Sequence, residues 1–145
     1  MTIRNLNSLM RKLERLGGDK TALINGIRKA TMKVQGDAKL LAPVNDGQLR
    51  NSIKAETKEE GGNVVGRVFT NLEYAAYVEY GTGQRGEDSP SPPKSPEDIY
   101  HRQDWTGMPA QPYLYPAARE NKETASKLVA KEIKKEIQKL AGRRR

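Results

Sequence analysis

The chain has no cysteine and a single histidine, His101, in 145 residues. Disulfide scaffolds, thiolate zinc sites and cysteine nucleophiles are thereby excluded, and a histidine-based metal cluster has too few ligands. The lack of thiols suits a reducing cytoplasm. No apolar run approaches the roughly 18–20 residues that cross a bilayer. The opening MTIRNLNSLMRKLERL interleaves charge with apolar residues, where a signal peptide needs a continuous apolar stretch. A soluble, intracellular chain is expected. Hydrophobic residues make up only 35% of it, so the core is modest and much of the surface must face water or a partner. Ser52, His101 and Asp104 are the residues a triad could draw on, but no spacing or flanking context joins them. No enzymatic activity, metal or cofactor is expected.

Charge is plentiful and uneven. The net charge is +8; residues 1–43 carry nine Lys/Arg against three Asp/Glu, residues 44–116 seven against eleven, and residues 117–145 ten against four. Basic ends flank an acidic middle. Such a pattern suits contact with nucleic acid, contact between oppositely charged protein faces, or plain solvated helices. Lys131, Lys134, Lys135, Arg143, Arg144 and Arg145 are the cations most open to DNA or a partner. The closing Arg143–Arg145 run also complements a helix C-terminus.

Periodicity outlines an α+β chain. Leu6, Leu9, Met10, Leu13 and Leu16 repeat at helical spacing and stop at Gly17-Gly18. Asp19 can cap a second helix carrying Leu23, Ile27, Ala30, Val34, Ala38 and Leu41, which Pro43 ends. After the NDG turn at 45–47 the period becomes two. Leu49, Asn51, Ile53, Ala55 and Thr57 then share one face of an expected strand. GGN at 61–63 turns the chain into the returning strand VVGRVFT, with Leu49, Ile53, Val65 and Phe69 as core. Residues 74–80 fit either element, with a short helix favoured. A long Pro- and acid-rich loop spans 84–112 and holds the lone Trp105. Pro116 opens a final helix lined by Ala118, Ala125, Leu128, Val129, Ile133, Ile137 and Leu140, and Gly142 closes it. The expectation is a single domain over 1–142 with a basic tail at 143–145: two N-terminal helices, a small antiparallel hairpin sheet, the long loop, and a C-terminal helix packed on the sheet.

VEYGTGQRG at 78–86 contains a literal G-x-G-x-x-G at Gly81, Gly83 and Gly86. A dinucleotide-binding turn needs a strand before these glycines and a helix opening after them. Pro90, Pro92, Pro93 and Pro96 follow closely, so no helix is expected to start past Gly86. The glycines are read instead as a turn that another backbone can approach closely.

Three segments carry a resemblance. APVNDGQLRNSI (42–53), YAAYVEYGTG (74–83) and GMPAQPYLYPA (107–117) are similar, in this order, to motifs of the tail-completion or head–tail joining proteins of long-tailed bacteriophages, typified by the gene-ten product of a lambdoid coliphage. The resemblance implies a virion structural protein. It would form a homo-oligomeric ring, with sixfold symmetry expected, in contact with a tail terminator or tail tube protein and with connector proteins. Residues 84–104 depart from the family pattern, which leaves room for a docking arm. Aromatic residues dominate interface hot spots, so Tyr74, Tyr77, Tyr80, Trp105, Tyr113 and Tyr115 are interface candidates, together with Gly81, Thr82 and Pro112. Tyr77, Tyr80, Tyr113 and Leu114 equally suit a core position. Arg50 and Glu79 lie inside two of the motifs with opposite charge, either as an ion pair or as contacts to a ring neighbour.

Overall fold

The computed structural model describes residues 6–44, 47–90 and 101–143. In chain order the elements are α1 (Leu6–Arg15), α2 (Thr21–Leu41), α3 (Gln48–Ser52), β1 (Lys54–Glu60), β2 (Asn63–Phe69), α4 (Ala75–Tyr80), α5 (Gly83–Asp88), α6 (Leu114–Glu120) and α7 (Lys122–Arg143). The class is α+β, and the two strands form one antiparallel hairpin. The chain divides into two compact units: one of residues 1–34, 55–67 and 121–145, the other of residues 35–54 and 68–120.

The first, helical unit holds the apolar core that the periodicities marked. Leu13 of α1, Ala22 and Ala30 of α2, and Ala125, Val129, Ile133 and Ile137 of α7 form one buried cluster, with Leu9, Leu16, Leu23 and Ile27 packed around it. Local chemistry sets the ends of these helices. Gly17 adopts φ 83° and the Gly18 N–H closes back on the Leu13 carbonyl at 2.9 Å, a left-handed stop that glycine takes without penalty. Asp19 Oδ1 accepts the Thr21 N–H at 2.9 Å, as an N-cap should. That bond holds the Asp19 carboxyl below the usual aspartate range.

Two glycines let α2 sit close to its neighbours. A Cβ on Gly26 would lie 2.8 Å from the α-carbon of Val129 in α7, and one on Gly66 would collide with Thr31 of α2. The hairpin therefore turns the Gly66 side toward α2. Its opposite face carries Arg67, whose guanidinium donates to Glu60 at 2.6 and 2.7 Å and lies 3.6 Å from Glu56. Val65 and Phe69 share strand parity with Arg67 and are only half-buried. The expectation that both are core is thus corrected.

Three further expectations change. Gln48–Ser52 is a turn of helix, not the start of a strand, and the strand begins at Lys54. Leu49 and Ile53 are four apart, a spacing that serves a helix as well as alternation serves a strand, and both are buried. The turn is held by Arg50 Nε donating to the Lys39 carbonyl at 2.9 Å and by Ser52 Oγ donating to the Leu49 carbonyl at 2.6 Å. The expected final helix is two helices, broken at Asn121, so that Ala117 rather than Ala118 is buried. The last helix also runs one residue past Gly142, to Arg143. Finally, the expected loop over 84–112 is helical in its first residues, as part of α5, which begins at Gly83 within the glycine motif. Asn45, Asp46, three of the four clustered prolines (Pro92, Pro93, Pro96), Arg144 and Arg145 lie outside the described residues.

Candidate functional site

The second unit is built around a clasp between the glycine motif and the segment leading to α6. Ladder-like bonds join them. Thr82 N–H donates to the Met108 carbonyl at 2.8 Å and Met108 N–H returns to the Thr82 carbonyl at 3.1 Å. Gln84 and Arg85 N–H donate to the Trp105 and Thr106 carbonyls, both at 2.9 Å, and Gln111 N–H donates to the Val78 carbonyl at 2.8 Å. The glycines exist for this approach. A Cβ on Gly81 would lie 2.6 Å from Ala110 N, and one on Gly83 would lie 2.5 Å from Trp105 O. A Cβ on Gly107 would strike the Thr82 carbonyl, and Gly81, Gly83 and Gly107 all sit at positive φ. Side chains do not fit between two backbones this close, nor favour that conformation.

These bonds also dispose of the nucleotide reading, on grounds other than the prolines. The element before the glycines is a helix, α4, not a strand. Two of the first N–H groups of α5, at Gln84 and Arg85, are already bonded to protein carbonyls, which removes donors that a phosphate cradle would need.

Glu79 closes the arrangement. It is 5% exposed, and its carboxylate accepts three backbone N–H groups: Oε2 from Tyr113 at 2.8 Å and Leu114 at 3.0 Å, Oε1 from Tyr115 at 2.8 Å. Those are the unsatisfied donors at the start of α6, capped here by a side chain 34 to 36 residues away. Beneath it, Tyr113 is fully buried and its hydroxyl donates to the Ala75 carbonyl at 3.3 Å. Burial, then the neighbouring Glu79 carboxylate, push its phenol well above the usual tyrosine range. The Arg50–Glu79 ion pair is not formed: Arg50 bonds to Lys39 and Glu79 to the start of α6.

Several aromatic side chains of this unit stay exposed. The α4 residues Ala75 and Glu79, four apart, face inward, which leaves Tyr77 59% exposed beside the half-exposed Tyr74. Trp105 is 50% exposed on the opposing segment, and Met108, whose backbone bonds to Thr82, is also exposed. Tyr80 is half-buried and its carbonyl bonds to Nε2 of the buried His101 at 3.2 Å. Pro112 and Tyr115 are half-buried. The unit thus gathers Tyr74, Tyr77, Glu79, Tyr80, Gly81, Thr82, Trp105, Pro112, Tyr113 and Tyr115 on one clasped substructure, with Arg50 on α3 of the same unit. Lys131, Lys134, Lys135 and Arg143 are instead exposed along α7 in the helical unit.

Sequence reasoning passed over Met108, Leu40, Leu41 and Val44 as surface residues, yet all are exposed; Leu41 was expected in the apolar stripe of α2. The Leu40-Leu41 pair ahead of Pro43 was the available signal, since adjacent residues on a helix cannot both face the same core. Ser52, His101 and Asp104 each have a partner elsewhere, respectively Leu49, Tyr80 and Arg102. Among the described residues no group of three or more His, Asp or Glu could hold a metal ion, and no helix is long and apolar enough to cross a membrane.

Fold and site together define a small α+β protein that holds an aromatic surface on a glycine-clasped base. Residues 6–81, just over half of the chain, match the family described as "Bacteriophage HK97-gp10, putative tail-component". The chain belongs to this HK97-gp10-like family of bacteriophage tail components, and its place is therefore the virion. No curated protein and no solved structure matches it. The family match ends at Gly81, so the second half of the clasp lies beyond it.

Proposed function

We propose that this tail component completes the tail, or joins it to the capsid connector, as a homo-oligomeric ring. Six copies match the expected symmetry of the tail. Its neighbours are further copies of itself, a tail terminator or tail tube protein on one side, and connector proteins on the other. It assembles in the host cytoplasm and acts by shape, with no chemical step of its own.

One observation carries this reading. Among the described residues, seven of the eight large hydrophobic side chains left exposed fall in the clasp unit: Leu40, Leu41, Val44, Tyr74, Tyr77, Trp105 and Met108. Apolar surface left open on a small protein marks a docking site, and rigid aromatic anchors bind at small entropic cost. Tyr77 and Trp105 make the contacts, while Glu79, Gly81 and Tyr113 hold them in place from below. Rings arise when one face meets a different face of the next copy and the rotation closes.

Electron microscopy and native mass spectrometry of the protein, alone and with tails, test the proposal. Rings, or incorporation at the tail end, are expected. Tyr77→Ala with Trp105→Ala should stay folded by circular dichroism, with a modest loss of stability because Trp105 is half-buried, yet fail to incorporate. Monomers that persist in the presence of tails and connectors, or full incorporation of the double variant, would overturn it.

A further inference from the structure

The helical unit carries a surface that the docking role leaves unused. Among the described residues it holds sixteen Lys/Arg against eight Asp/Glu, net +8, whereas the clasp unit holds six against seven, net −1. Half of that excess lies on α7, which carries seven Lys/Arg against three Asp/Glu. With about 100° of turn per residue, Lys127, Lys131, Lys134 and Lys135 fall within one arc of about 100°. That arc lies opposite Val129, Ile133 and Ile137, which point into the core. All four lysines are exposed. The acids of α7, Glu123, Glu132 and Glu136, lie outside the arc; Glu132 is bonded to Lys29 of α2 and also feels the Lys131 and Lys135 charges.

Three kinds of partner fit a row of cations, and the surface discriminates among them. The centre of a protein interface is enriched in aromatic residues and depleted in lysine. The helical unit contains no aromatic residue, and Met32 is its one exposed large hydrophobic among the described residues. Single-stranded nucleic acid needs aromatic platforms on which bases stack, and these are equally missing. What remains is a straight row of point charges. From Lys127 to Lys135 the helix rises about 12 Å, a length over which a DNA duplex presents roughly seven phosphates. We propose that the α7 face formed by Lys127, Lys131, Lys134 and Lys135 binds the phosphate backbone of duplex DNA without reading its sequence. This contact is independent of ring formation.

The test is fluorescence anisotropy of two unrelated labelled duplexes with the full chain, across a salt series. Both duplexes should bind alike, and the logarithm of the association constant should fall with that of salt at a slope of about −3 to −4, near 0.9 per phosphate neutralised. The quadruple variant Lys127→Gln, Lys131→Gln, Lys134→Gln, Lys135→Gln should lose binding. Glutamine keeps helix propensity, and circular dichroism verifies the fold. Should the quadruple variant not fold, Lys134→Gln alone must flatten the slope by about 0.9. The proposal is overturned by no binding at about 50 mM salt, by an unchanged slope in the variants, by preference for single strands, or by polyglutamate binding as tightly as DNA at equal charge.

Discussion

Removing the Glu79 carboxylate should detach the start of α6 from α4, and the structure sets the scale. Oε2 serves two N–H groups and Oε1 serves one. In Glu79→Gln the amide oxygen can take over the Oε2 position, but the amide NH2 then meets the Tyr115 N–H donor to donor. One charge-assisted bond is lost, a cost of about 1.5–3 kcal/mol. Glu79→Ala strands all three donors. Leu114 and Tyr115 are half-buried and can recover water, so the cost is about 3–5 kcal/mol rather than three full penalties. Glu79→Asp keeps the charge but falls one methylene short, and should resemble the alanine variant more than the glutamine one. Hydrogen exchange at the Tyr113, Leu114 and Tyr115 amides reads the effect locally, which avoids assuming that two units unfold in one transition. In Glu79→Gln these amides should exchange about 10- to 150-fold faster, since each 1.4 kcal/mol is a factor of ten. Unchanged protection there would refute the capping role. Equal acceleration along α7 would show that the loss is global and that the local account is wrong.

Other outcomes follow from the same geometry. Gly26→Ala gains helix propensity, but its Cβ meets the Val129 α-carbon at 2.8 Å; overpacking of about 1–3 kcal/mol should win and lower the melting temperature. Gly36→Ala lies on the same helix with nothing within 4 Å of the new Cβ, and should raise stability by up to about 1 kcal/mol in the same assay. Gly107→Ala combines a φ of 68° with a collision against Thr82; a loss of about 3 kcal/mol is expected, seen as faster proteolysis within 101–112. Glu60 is held at about 2 chiefly by its hydrogen bond from Arg67. A carboxylate depressed in the folded state contributes stability that is present above its unfolded value and lost as pH falls. The Glu60 contribution should therefore fade from about pH 4.5 down to about 2. Melting curves of Arg67→Ala over that window should show a shallower acid loss than the wild type.

Much of the architecture was legible because its causes are local. The stripes of α1, α2 and α7 repeat every three or four residues, Gly17-Gly18 and Asp19 carry their own stop and start chemistry, and the hairpin follows from a two-glycine turn ahead of the β-prone run of β2. The aromatic segments were legible as chemistry, and the glycines as a close backbone approach, though not to which backbone. Gln48–Ser52 was not legible as helix because five residues are too few to separate a period of two from one of 3.6. Its helical turn rests on a bond from Arg50 to Lys39, eleven residues back. The break at Asn121 was hidden because the alanines on either side suit a continuous helix, while Ala117 and Ala125 are buried in different units.

Sequence alone therefore determined the long helices, the hairpin, the unequal spread of charge and the stock of aromatic anchors, since each depends on neighbours within a few residues. Only the tertiary structure decided what Glu79 does and which tyrosines face outward. A carboxylate, a glycine or a tyrosine acquires its role from whatever the fold brings to it. Here those partners lie more than twenty residues away, at Tyr113 for Glu79, at Met108 for Gly81 and at Ala75 for Tyr113.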